Sequence, residues 1–107
     1  MTKGERVGVI FGRDGSTVSF LGYGIYEGEE VPHTAVGFLV AGMIQANRKN
    51  PKILLDSGKL VWGCECWWGP EDKIIQRLDR WRDEGFEIVD VDIDTLRAEY
   101  LRTEGSA

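Results

Sequence analysis

The segment Val61-Trp62-Gly63-Cys64-Glu65-Cys66-Trp67-Trp68-Gly69-Pro70 constrains this chain most, because it sets three of the four tryptophans within seven residues. In extended conformation Trp62, Cys64, Cys66 and Trp68 share one face, and Val61, Gly63, Glu65 and Trp67 share the other. Burying large rings on both faces needs a covering layer on each side. A chain of 107 residues forms one domain with few helices to supply two such layers. At least one aromatic face is therefore expected to meet a ligand or a second subunit. The competing reading keeps the rings internal, with Trp62 and Trp68 under helices and Trp67 shielding an edge.

The rest of the chain supplies the elements around this segment. Glu5 to Gly12 reads as a strand, Arg13-Asp14-Gly15-Ser16 as a turn, and Thr17 to Ile25 as a second strand. In that second strand Val18 and Phe20 oppose Leu21, Tyr23 and Ile25. Val36, Leu39, Val40, Met43 and Ile44 recur at helical spacing, so a helix is expected from Thr34 to about Arg48. Lys52 to Leu55 and Lys59 to Trp68 form a second hairpin. Gly69-Pro70-Glu71-Asp72 starts a helix whose inward residues are Ile74, Ile75, Leu78 and Trp81, with Gly85 at its C-terminal cap. Phe86 to Ile93 alternates again as a strand, and Asp94 caps a short terminal helix from Thr95 to Arg102. The order predicts a single α+β domain over residues 1–104. It has an antiparallel sheet of about five strands, two main helices on one face and a short C-terminal helix, with 105–107 as a frayed tail.

Charge narrows the partners. Residues 1–68 carry seven charges of each sign, so the whole surplus of −5 lies in residues 69–107. No basic stripe is present to displace counterions from duplex DNA or to hold an anionic membrane. No apolar run reaches the ~18 residues of a membrane span, and no signal-peptide core follows Met1, so the expected compartment is the cytoplasm.

Few residue combinations suit catalysis. Cys64 and Cys66 are too close on one strand for an unstrained disulfide and are expected as reduced, buried thiols. With His33 they reach three metal ligands at most and lack paired C-x-x-C spacing, so neither a metal nor another cofactor is expected. Asp90, Asp92 and Asp94 share a strand face and read as solvated acids that discourage edge aggregation. Gly22-Tyr23-Gly24 lacks the following helix of a phosphate loop, and its glycines mark a bulge or a close backbone approach. A non-enzymatic protein is the expectation. The candidate ligand-binding residues are Trp62, Trp67 and Tyr26 for stacking, Arg48 for phosphate, and Glu65 and Asn50 for ribose or base edges. The alternative role for Glu65 is a pairing with an arginine.

Three segments, Gly22-Tyr-Gly-Ile-Tyr-Glu-Gly28, Asn50-Pro-Lys-Ile-Leu-Leu-Asp-Ser-Gly58 and Val61 to Glu71, resemble small proteins encoded by bacteriophages. Among these the chain resembles the anti-Thoeris cyclic-ADP-ribose sponges. That resemblance implies a non-catalytic anti-defence protein of the host cytoplasm, a homo-oligomer that sequesters a nucleotide-derived signal at subunit interfaces. It assigns no ligand residue in this sequence. The second reading is an acidic inhibitor that docks its last third on a basic host protein.

Overall fold

The computed structural model describes residues 1–32 and 44–105, with side chains through residue 99. Most of the helix expected over 34–48 lies outside the described residues. At its far end Ile44 and Gln45 are helical, and Asn47 turns left-handed (φ 53°) while its N–H donates to the Ile44 carbonyl at 3.0 Å.

Strands β1 (Arg6–Asp14) and β2 (Thr17–Glu30) form the first hairpin, turning at Gly15 with φ 61°. β2 is long enough to serve several neighbours. Its second half pairs antiparallel with β3 (Asn50–Leu55), which pairs in turn with β4 (Leu60–Trp62). β5 (Trp67–Pro70) pairs antiparallel with β1, and β6 (Glu87–Asp90) pairs parallel with the first half of β2. The main order is β4-β3-β2-β1-β5, six strands in all with β6. The architecture is thus α+β, and one strand pairing departs from the antiparallel expectation.

The larger correction concerns the tryptophan segment. Gly63–Glu65 forms a 3-10 turn, which splits the expected continuous strand into β4 and β5 on opposite edges of the main sheet order. In a flat sheet those edges would stand about 19 Å apart, four strand spacings. Three residues in a 3-10 turn advance only about 6 Å, so the sheet must curl to bring β4 and β5 together. Trp68 and Cys66 then pack on the same core as Val7, Val9, Ile53 and Val61. Curling folds the sheet around this core, and Val91, Ile93 and Leu96 complete its cover.

Two bulges set which side chains enter which core. Register skips Leu21 in β2 and then Phe11 in β1, so the two irregularities cancel and the hairpin closes in its starting register. On β1 plain alternation sends Val7 and Val9 into one core and Ile10 into the other, with Val18 and Phe20. The first irregularity reverses sidedness within β2, where it places Tyr23 beside Phe20 although simple alternation would have separated them. Gly22, with φ 122°, accommodates the bend. Burying each of these aliphatic side chains contributes roughly 1.5–3 kcal/mol.

Helix α1 (Glu71–Asp83) follows Pro70 directly and ends at Gly85, whose φ of 92° suits the cap. Leu78 and Trp81 bury against Ile10, Val18 and Phe20. Helix α2 (Ile93–Gly105) instead sends Ile93 and Leu96 into the Val7–Val9 core. The two helices therefore contact opposite faces of the sheet. Asp92 caps α2 one residue ahead of Ile93, with the Thr95 N–H donating to its Oδ2 at 3.1 Å, so Asp94 is not the cap.

Candidate functional site

The six candidate residues do not converge on one surface. Trp62 is 2% exposed, the largest of the fully buried side chains, and presents no ring to solvent. Tyr26 is buried and stacks on Trp68, with ring centroids 5.4 Å apart and planes within 10°. This pair ties the middle of the sheet to edge strand β5. Asn50 is also buried, at the first residue of β3, and its Nδ2 is without a hydrogen-bond partner. Arg48 is exposed in the connection leading to β3. Trp67 is 61% exposed.

Glu65 takes the role of an ion-pair partner. Its carboxylate accepts two bonds from Arg97, Nε to Oε2 at 2.9 Å and Nη2 to Oε1 at 2.7 Å. It also accepts the Trp62 backbone N–H at 3.0 Å, which locks the 3-10 turn. Arg97 Nη2 donates further to the Leu60 carbonyl on edge strand β4 at 2.9 Å. The two side chains retain only 19% and 9% exposure for Arg97 and Glu65. Glu65 raises the Arg97 pKa against the opposing effect of burial. The pair is a clamp between α2, the turn and β4, and leaves Glu65 no free edge for a ligand. Arg97 was the residue to look for: it is the lone basic residue between Asp83 and Leu101, and it follows Ile93 and Leu96 at helical spacing on the inward stripe.

The reactive groups are similarly held. Both cysteines are free thiols. Burial pushes Cys66 up to about 12, and its Sγ donates to the Trp62 carbonyl at 3.4 Å. Burial raises Cys64 as well, with the Glu65 charge adding to it. A thiol kept protonated is a poor nucleophile and a poor metal ligand. Among the described residues no group of three His, Cys, Asp or Glu side chains is placed to hold a metal ion, and His33 lies outside them. Asp92 and Asp94 both pair with Lys59, and the bond from Lys59 holds the Asp92 carboxyl below its usual range. Arg6 clasps Asp56 through both terminal nitrogens (2.7 and 2.8 Å) and Glu71 through Nε at 2.9 Å, joining the β3–β4 turn to the start of α1.

What remains open is the outer edge of the sheet. Among the described residues β5 has β1 as its sole strand partner, and its four residues Trp67, Trp68, Gly69 and Pro70 carry no charge. Trp68 faces the Val7–Val9 core, so Trp67 and Gly69 face the side covered by α1. Gly69 lies opposite Gly8. A Cβ on Gly8 would meet Ile74 of α1 at 2.6 Å, whereas one on Gly69 would find Ile74 Cδ1 at 3.9 Å and nothing nearer. The first glycine lets the helix sit down on the sheet. The second has open space on that face, two residues from the exposed Trp67. No helix of the described residues is long and apolar enough to cross a membrane. No protein-family model, no curated protein and no solved structure matches this chain.

Proposed function

We propose that this chain is a non-catalytic binding protein that captures a flat, nucleotide-type small molecule between copies of itself, with Trp67 as its recognition surface. One observation carries the reading: Trp67 is the most exposed large apolar side chain described, and it stands on an uncharged, unpaired strand edge. An indole in that position offers a π-face to a base, an interaction worth about 1–3 kcal/mol per stacked ring. Arg48, the other candidate left accessible, suits a phosphate. The state of the reactive groups supports binding over turnover, because the thiols stay protonated and Glu65 is clamped by Arg97. Capture without turnover is also what the sponge resemblance implies. The acidic-inhibitor reading has less support, since Glu71, Asp79, Asp92 and Asp94 are paired within the chain.

Calorimetric titration with cyclic nucleotides and cyclic ADP-ribose isomers tests the proposal. The expected result is saturable heat with one member, weakened at least about tenfold in Trp67→Ala. Flat titrations across the panel at tens of micromolar wild-type protein would refute it.

A further inference from the structure

We infer that the β5 edge is a self-pairing surface, on which two copies of this chain join their sheets antiparallel about a two-fold axis at Trp68. This rests on the binding reading and deepens it by fixing the edge and the register on which the two copies meet. Residues directly opposite each other across an antiparallel ladder point to the same face. Trp67 and Gly69 share one face of β5, two residues apart. A two-fold centred on Trp68 therefore sets each Trp67 opposite the other copy's Gly69, twice over in one isologous contact.

The shapes match. Trp67 is a projecting ring with 61% of its surface open. Gly69 is the position next to it where no side chain stands and where only Ile74 Cδ1 comes within 4 Å. A tryptophan laid across a facing glycine covers exposed backbone and gains apolar contact, and this arrangement stabilises glycine-containing strand pairs. Ile75, 41% exposed and next to Ile74 on α1, offers further apolar surface on the same helix. Pro70 has no N–H and ends the pairing, so the Trp68-centred register is the one that uses all of residues 67–69 from both copies. Charge also favours this edge. The chain is net acidic, and β5 is a strip on which two like-charged copies meet with no charge on either strand. An exposed aromatic edge with no lysine guard is otherwise a liability in a monomer.

Sedimentation equilibrium of the wild-type chain without ligand, over a concentration series, tests the pairing. Twice the monomer mass at tens of micromolar is expected, with tryptophan emission moving to longer wavelength as dilution separates the copies. Trp67→Lys is expected to be monomeric throughout. Gly69→Ala, which the neighbourhood of Gly69 admits without internal collision, is expected to weaken association at least about tenfold. Far-UV circular dichroism confirms that each variant is folded. A wild type that stays monomeric to several hundred micromolar overturns the pairing, as does unchanged association in folded Trp67→Lys. A monomer that still binds a nucleotide through Trp67 overturns the pairing and capture between copies, and leaves only Trp67 recognition standing. A dimer that gives flat titrations does the reverse.

Discussion

Replacing Arg97 with alanine tests the clamp that organises the tryptophan segment. The substitution removes three hydrogen bonds, two to Glu65 and one to the Leu60 carbonyl. It leaves the Glu65 carboxylate enclosed, with the Trp62 N–H as its one remaining partner from that set. Breaking one side of a buried ion pair costs about 3–5 kcal/mol, mostly the penalty of the abandoned charge. Arg97 keeps 19% of its side chain in contact with solvent, so water relieves part of that penalty and the low end applies, about 3 kcal/mol. A domain of this size has roughly 5–15 kcal/mol in total, so the loss is large. It corresponds to a melting temperature lower by about 12–24 °C. Urea denaturation at neutral pH gives the number directly. The double variant Arg97→Met with Glu65→Leu separates the mechanisms, because it removes the stranded charge and should recover much of the loss. A cost below about 1 kcal/mol for Arg97→Ala would show that the pair behaves as a surface salt bridge and that α2 is held by Ile93 and Leu96 alone.

Other perturbations give sharp outcomes. Between pH 9 and 10 the unfolded chain ionises Cys66 while the folded chain holds it protonated up to about 12, so unfolded molecules bind fewer protons and stability falls as pH rises. The slope approaches about 1.4 kcal/mol per pH unit, and urea melts of Cys66→Ala should lose that slope. Asp92 titrates in the opposite sense: its lowered pKa adds stability above the ordinary carboxylate range and loses it on acidification. Thermal melts should accordingly show Asp92→Ala destabilised at neutral pH and converging on wild type in acid, with Asp92→Asn closer to wild type because asparagine also caps helices. Gly24→Ala would put a Cβ 2.3 Å from the Leu54 carbonyl oxygen, a backbone atom that cannot step aside, and should cost about 3 kcal/mol in urea melts. Gly12→Ala, with open space around it, should be tolerated.

The two-residue and helical periodicities were legible because they depend on local geometry. The β1–β2 hairpin, the α1 start after Pro70 and its end at Gly85 all follow from the sequence. The sequence also left two readings open for Gly22 and Gly24, and each glycine fulfils one of them. Gly22 sits at the bulge, and Gly24 meets the β3 backbone. What the pattern could not show was the pair of cancelling bulges. Alternation assumes an unbroken pleat, and one extra residue in β2 brings Tyr23 to the face of Phe20. The parallel pairing of β6 is equally non-local, since nothing in Glu87–Asp90 specifies which strand receives it.

The tryptophan segment failed as a continuous strand for a physical reason that also decides the candidate site. Gly63 packs so closely on Pro51 that a Cβ there would lie 2.8 Å from the proline ring, so the chain bends at the one residue able to make that contact. The bend becomes the 3-10 turn, Glu65 locks it through the Trp62 N–H, and Arg97 satisfies the carboxylate that the turn encloses. Curling then buries Trp62 and stacks Trp68 on Tyr26, while Trp81 enters the opposite core from α1. Counting layers in a flat sheet predicts too many uncovered rings, because a curled sheet shares the covering with one helix on each face. The excess does not vanish, however. It contracts to Trp67, which stands on an edge strand whose only described strand partner is β1. The pressure for a partner that the sequence spread over a whole strand face is thereby concentrated on three residues, Trp67 to Gly69, and a single substitution at Trp67 is enough to test it.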